Sequence, residues 1–343
     1  MQKRLLALPF AAAIVNGGGR IIATLLIATV LAVISCLGGA YAQSYPVRPI
    51  TMIVPFPPGG LSDVVGRIIA EGMRAPLGQS IIIENVGGAT GSIGTGRVAR
   101  AAPDGYTLVL GIWNTHVANG VAYTLPYDVV KDFEPVALLA DAPLVFLAKK
   151  SVPANSFKEL VDWLKANPNR SMGTVGAGSP VHLLGVLMQQ ETGTQFGLVA
   201  YRGASLVVQD LVAGHIDFTI ANPATALPQV KAGTIKAFAV TAKSRLAIAP
   251  DIPSIDEAGF PGLRFSLWAG LFAPKGTPKP IVDRLNGAAV SALADATVRQ
   301  KLVSQGFEIP SRDRQTPEAL GAYQNAEIKK WWPIIKAAGI KAQ

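Results

Sequence analysis

Short apolar runs alternate along this chain with stretches in which apolar residues recur every three or four positions, the rhythm of βαβ units. ITMIVPF (50–56) predicts a strand and SDVVGRIIAEGMRAPLG (62–78) a helix capped by Ser62 or Asp63. SIIIEN (80–85) and YTLVLG (106–111) predict further strands, separated by a helix over 91–105 that stops at Pro103 and Gly105. A long apolar stretch, FEPVALLADAPLVFLAKK (133–150), carries a proline and opens a second series. That series predicts helices at 156–168 and 179–193 and strands at 171–176, 196–201, 216–222 and 235–242, with SLVVQDLVAG (205–214) continuing the alternation. A second long apolar stretch (264–276) leads into helices at 278–294, 295–305 and 315–338.

Two long apolar stretches that flank a middle block imply two crossings between lobes, with the last third of the chain returning to the first. The expected architecture is α/β with two lobes and a cleft between them, the usual seat of a small ligand.

Residues 1–42 carry Lys3, Arg4 and Arg20, no acid, and an apolar run from Ile21 to Leu37 that ends in GGAYAQ. This is the layout of a secretory signal peptide over 1–42, cleaved after Ala42. A retained membrane span competes, since the run is near the short end of the ~20 residues that a span needs. VISC (33–36) offers a lipoprotein tether through Cys36, the chain's one cysteine. A chain cut after Ala42 has no thiol, which removes disulfides, thiolate catalysis and cysteine-held metals. The three histidines, His116, His182 and His215, have no metal-ligand spacing, so no metal site and no cofactor are expected. A formal charge of +9 over 343 residues invites a nucleic-acid reading, but the basic residues are scattered, with no basic run longer than two.

Four glycine-rich turns follow expected strands: PPGGLSD (57–63), NVGGATGS (85–92), GAGSPVH (176–182) and YRGAS (201–205). A strand that ends in such a turn and opens a helix presents free N–H groups to an anion. Pattern alone leaves phosphate, carboxylate and plain turn open at each of them. GTGRVA (94–99) fits GxGxxA but lies too far past its strand for a dinucleotide site, and no P-loop occurs. Ser179 and His182 stand three apart at a helix start, the one arrangement that suggests an exported hydrolase, although no GxSxG elbow surrounds Ser179. Trp113 and Trp268 are candidate cleft walls, with core burial the default for both.

These motifs together resemble the substrate-binding receptors of tripartite tricarboxylate transporters, the Bug/TctC family of extracytoplasmic solute receptors. The resemblance rests on YPVRPITMIVPFPPGGLSDVVGR, GGATGSIGTGRVARAAPDGYTL, LPYDVVKDFEPVALL, GTVGAGSPVHL, YRGAS with QDLVAGHID, VKAGTIKAFAVTAKSR, IPSIDEAGFPG and FAPKGTP, in order from about Tyr45 to Ile340. It implies a periplasmic-binding-protein (Venus flytrap) fold, each lobe a mixed, mostly parallel sheet flanked by helices, with lobe 1 at 43–143 and 266–343 and lobe 2 at 144–265. It implies a periplasmic, monomeric, non-catalytic receptor that passes a small carboxylate to integral membrane transporter subunits; a sensor without a transport role is the neighbouring alternative.

The site residues it implies are Pro57, Gly59, Gly60, Ser62 and Asp63 in the first turn, Asn114 and Thr115 after the third strand, and Gly178, Ser179 and His182 in the second lobe. Tyr201, Arg202 and Gly203 correspond to a YKG-like turn, and Asp217 and Asn222 lie on a second-lobe strand and its end. Leu61, Thr90 and Ala200 depart from the family's usual small residue, glycine and proline, and Leu61 puts the ligand's identity in doubt. An aliphatic acid, an acidic amino acid and an aromatic acid all remain open.

Overall fold

The computed structural model describes residues 45–176 and 178–339. The signal peptide expected over 1–42, and Cys36 within it, lie outside the described residues.

β1 (Ile50–Val54), β2 (Ile81–Asn85), β3 (Thr107–Ile112) and β4 (Phe133–Ala140) build one sheet with β10 (Ala269–Pro274), in the order β2-β1-β3-β10-β4. β5 (Val145–Lys149), β6 (Ser171–Thr174), β7 (Gly197–Ala200), β8 (Phe218–Ala221) and β9 (Ile235–Val240) build the other, in the order β7-β6-β8-β5-β9. In each sheet one strand is reversed: β10 is antiparallel to β3 and β4, and β5 to β8 and β9. Both reversed strands come directly after a crossing. A chain that leaves one lobe at the cleft enters the next heading away from it, whereas every other strand runs toward it.

The strands are apolar because both faces are covered; β4 and β10 are almost wholly buried. The covering helices are α1 (Leu61–Leu77), α2 (Ser92–Ala99), α3 (Phe157–Ala166), α4 (Pro180–Thr192), α5 (Ala204–Ala213) and α6 (Pro223–Lys231). α7 (Lys279–Ala294), α8 (Ala296–Ser304) and α9 (Pro317–Ala337) complete the set. Their starts follow local chemistry: Ser156, Ser179, Asn222, Asp295 and Thr316 each cap a first-turn N–H, and proline opens α4, α6 and α9.

Two expectations change in detail. The helix expected at 91–105 runs only over Ser92–Ala99, and Pro223–Lys231, which no periodic signal marked, is helical despite Pro228. Trp113, Trp268 and Trp331 are fully buried, so the tryptophans weighed as cleft walls belong to the core. Trp113, Phe265 and Trp331 meet edge to face with centroids 5.2–5.4 Å apart, joining the two lobes' apolar interiors at the hinge.

Candidate ligand cleft

Four helices begin within a few residues of the ends of strands that run toward the second lobe or back toward the first: α1 after β1, α4 after β6, α5 after β7 and α6 after β8. Their first-turn N–H groups have no intrahelical acceptor. Ser179 Oγ accepts from His182 N at 3.2 Å and Asn222 Oδ1 from Ala224 N at 2.8 Å, which satisfies one donor in each of α4 and α6. α1 and α5 start instead at Gly60 and Gly203 with no side-chain cap. Of these four, one in each lobe therefore starts uncapped, as α2 and α7 also do elsewhere in the first lobe, and a helix dipole favours negative charge there.

The first turn is held by Asp63. Its Oδ2 accepts from Gly59 N and from Arg67 Nε, both at 2.9 Å, and its Oδ1 accepts from Asn85 Nδ2 at 2.9 Å. Asn85 Nδ2 also donates to Phe56 O at 3.0 Å, tying the end of β2 to the turn. These donors, Arg67 first, hold the Asp63 carboxyl down to about 2 against the cost of its burial. Gly59 has φ +82°, a conformation that a side chain disfavours, whereas Gly60 has φ −78° and only Pro57 O within 4 Å of where a Cβ would stand. Gly60 is thus not required by the backbone; what its missing side chain leaves open is the approach to the uncapped N–H groups.

The sequence-expected residues sort by what they touch. Pro57, Gly59 and Gly60 are exposed at the turn, while Ser62 and Asp63 are buried beneath it. Asn114 opens a π-helical turn (Asn114–Ala118) after β3 and is partly exposed. Thr115 is fully buried and faces inward: its hydroxyl donates to Ile112 O and accepts from Ile112 N, and lies 2.9 Å from His116 Nδ1. It shapes the turn from below, a correction to its place among expected ligand contacts.

Gly178 has φ +77° beside Ser179, and His182 is half-buried, its imidazole pushed down by desolvation. Among the described residues no carboxylate is hydrogen-bonded to His182, and Ser179 Oγ serves as a helix cap. Tyr201 donates its phenol hydrogen to Asp210 Oδ2 at 2.7 Å, which pushes its own ionisation up to about 12. Arg202 is exposed and forms no ion pair among the described residues. Gly203, in extended conformation (φ −177°), opens α5. Asn222 keeps a buried Nδ2 with no hydrogen-bond partner. Asp217 stands at the opposite end of β8, paired with Lys149 at 2.8 Å, so it anchors the lobe and does not line the cleft.

Arg67 and Asn85 were not among the expected site residues. Arg67 was legible as the i+4 partner of Asp63. Asn85 is 22 positions away, and only the β1–β2 register of Val54 against Asn85 brings it to the turn. Among the described residues no cluster of three or more His, Cys, Asp or Glu is placed to hold a metal ion, and no helix is long and apolar enough to cross a membrane.

Two mixed sheets joined by paired crossings, with an uncapped helix start in each lobe, define a solute receptor of the two-lobe periplasmic-binding-protein type. Residues 65–340 match the model of the tripartite tricarboxylate transporter family receptor, TctC, and the chain belongs to that family. It is 38% identical over 324 residues to an Agrobacterium vitis protein from the TAR-I ttuE-ttuC' intergenic region, covering 93% of this chain and 92% of that one. MatC from Rhodopseudomonas palustris, solved with bound malate, superposes with TM-score 0.69 at 36% identity, covering 85% of this chain and 100% of its own. A second R. palustris protein, solved with adipate, gives TM-score 0.71 at 34% identity, covering 87% of this chain and 99% of its own.

Proposed function

We propose that this protein is a periplasmic receptor that binds a small organic carboxylate between its lobes and hands it, unchanged, to integral membrane transporter subunits. The observation that carries this reading is the pair of uncapped helix starts at Gly60 and Gly203, one in each lobe. Both present backbone N–H groups that lack an acceptor, and the buried Asn222 Nδ2 lacks one as well. A carboxylate supplies acceptors to such donors, each charge-assisted bond contributing roughly 1.5–3 kcal/mol. Arg202, exposed and without an ion pair among the described residues, adds a positive charge on the second lobe. Malate and adipate in the two R. palustris relatives support the ligand class.

Lobe 1 then comprises 43–143 and 266–343 and lobe 2 comprises 144–265, the lobes closing as a monomer about the crossings and without a cofactor. A receptor role fits the Ser179 geometry better than hydrolysis does, because the hydroxyl oxygen is engaged in capping α4 and no acid orients His182. The test is thermal unfolding of the protein from Gln43 to Gln343, refolded to strip carried-over ligand, against aliphatic, amino-acid and aromatic carboxylates. A ligand at 100 times its Kd adds about 2.7 kcal/mol. A panel that leaves the melting temperature unmoved would overturn the proposal.

A further inference from the structure

The crossings form a narrow ladder. Leu267 N bonds to Ala142 O at 3.0 Å, Thr241 N to Leu144 O at 2.8 Å and Phe265 N to Thr241 O at 3.0 Å. A third segment joins at the edge: Asp141 N bonds to Glu308 O at 2.9 Å and Glu308 N to Asp141 O at 2.8 Å. Beside this ladder lies a cavity of about 370 Å³, walled by Asp141, Glu308, Arg314, Tyr323, Glu327 and Lys330 on one lobe and by Thr241–Ser244 and Arg264 on the other. It shares no residue with the four turns at the cleft.

Of the three carboxylates here, only Asp141 is ion-paired among the described residues. Asp141, 6% exposed, accepts at Oδ2 from Arg314 Nη1 at 2.7 Å, but its Oδ1 has no hydrogen-bond partner among the described residues. Ser266 Oγ is likewise unpaired among the described residues; burial pushes the Asp141 carboxyl up, and Arg314 and the Ser266 hydroxyl oppose that by favouring its charged form. Glu327 accepts from Trp113 Nε1 at 3.0 Å. The Glu308 side chain makes no hydrogen bond or ion pair among the described residues. Two nearby cations are engaged elsewhere: Lys330 Nζ donates to Arg264 O at 2.8 Å and to Gly262 O at 3.3 Å, and Arg264 is paired with Asp256.

We propose that this cavity is a proton-binding site built into the hinge, where Glu308 and Glu327 release protons as the cleft closes and regain them as it opens. The inference rests on the receptor reading above, since it requires the lobes to move. Burial supports it by holding both carboxyls up at about 7. Glu308 faces Asp141, which raises it further, and Arg314, which opposes. Glu327 faces Lys330 and the indoles of Trp113 and Trp331, which lower it, and Asp141, which raises it. Lys330 in turn feels Glu327, Glu191 and Arg264; the Tyr323 hydroxyl, set among Asp141, Glu327 and Arg314, is pushed up and stays neutral; and Lys243 lines the second lobe's wall.

The direction follows from sheet order. The crossings lie at the β10/β4 edge of one sheet and the β5/β9 edge of the other, whereas the turns follow β1, β6 and β7, toward the opposite edges, and β8 at the centre of its sheet. Rotation that brings the turns together spreads the walls at the crossing edge, water enters, and the ionised carboxylates gain solvation. A carboxyl whose pKa falls on closure binds fewer protons in the closed form, so raising the pH through 7 favours closure.

The experiment is small-angle scattering and tryptophan fluorescence of the full, ligand-free chain between about pH 5 and pH 9, beside Glu308→Gln, Glu327→Gln and the double variant. Glutamine keeps the shape and stays neutral at every pH. The wild type is expected to lose radius of gyration as pH rises, with a fluorescence midpoint near 7 set by Glu327 beside Trp113. The double variant is expected to hold the acidic values throughout, and each single variant to lose part of the response. A constant or oppositely sloped wild-type radius, or an unchanged response in the variants, overturns the proposal, and the wild-type series decides even where a variant fails to fold. Compaction by malate at fixed pH beside a flat pH series would sink the hinge inference alone. An unfolding panel without a hit would sink the receptor reading instead.

Discussion

Replacing Asp63 by asparagine tests whether the first turn of the cleft is built by one carboxylate. The side chain accepts three hydrogen bonds, from Gly59 N, Arg67 Nε and Asn85 Nδ2, each at 2.9 Å. An amide can accept on one side only, so either the Asn85 amide or the Gly59 and Arg67 donors must face a second donor. Holding a carboxyl at about 2, where 3.8 is ordinary, is equivalent to about 2.4 kcal/mol. Solvent around Arg67, whose side chain is 56% exposed, cuts that to ~1–1.5 kcal/mol. The mismatched donor adds about 1–2 kcal/mol. The sum, ~2–3.5 kcal/mol, lowers the melting temperature by about 3–6 °C for a chain of this size.

The depressed ionisation fixes the pH dependence. The carboxylate's stabilisation is complete above the ordinary carboxylate range and disappears as pH falls toward about 2. The gap between wild type and variant, read by thermal unfolding, should therefore be full at neutral pH and close at strongly acidic pH. Equal melting temperatures at neutral pH, or a gap that stays constant into acid, would refute the assignment.

Three further outcomes follow from the same geometry. Gly60→Val should leave the melting temperature nearly unchanged, because φ is −78° and no atom crowds the new Cβ, yet abolish carboxylate binding by calorimetry; retained affinity would make the turn structural only. Ser179→Ala removes the α4 cap and should cost about 1 kcal/mol of stability in urea unfolding, with a loss of affinity beyond that if the hydroxyl meets the ligand. Gly111→Ala should destabilise by about 2–3 kcal/mol, because its Cβ would lie 2.5 Å from the His116 ring and 2.7 Å from Phe272; a melting temperature like the wild type's would mean that these two rings, stacked with centroids 4.1 Å apart, yield easily.

The sequence by itself determined what depends on neighbours along the chain. Short apolar runs marked the strands, the three-to-four period marked most helices, the helices expected from 156 and 179 start at the caps Ser156 and Ser179, and two of the glycine-rich turns hold Gly59 and Gly178 at positive φ. The ordered motifs carried the family and with it the two-lobe plan. The sequence missed α6, where two prolines and small residues erase the apolar period, and the π-helical turn that sends Thr115 inward.

Only the tertiary structure decided what depends on distant pairs. Trp113 reads as core by default and as cleft wall by alternative, and only Phe265 and Trp331, more than 150 positions away, decide by closing around it. Asn85 reaches Asp63 through strand register, and Asp141 meets Glu308 only because the chain returns to the hinge. Burial, which sets whether a carboxyl stays charged, is a property of such meetings. Composition records that Glu308 and Glu327 exist, and the fold places them in one cavity beside the crossings.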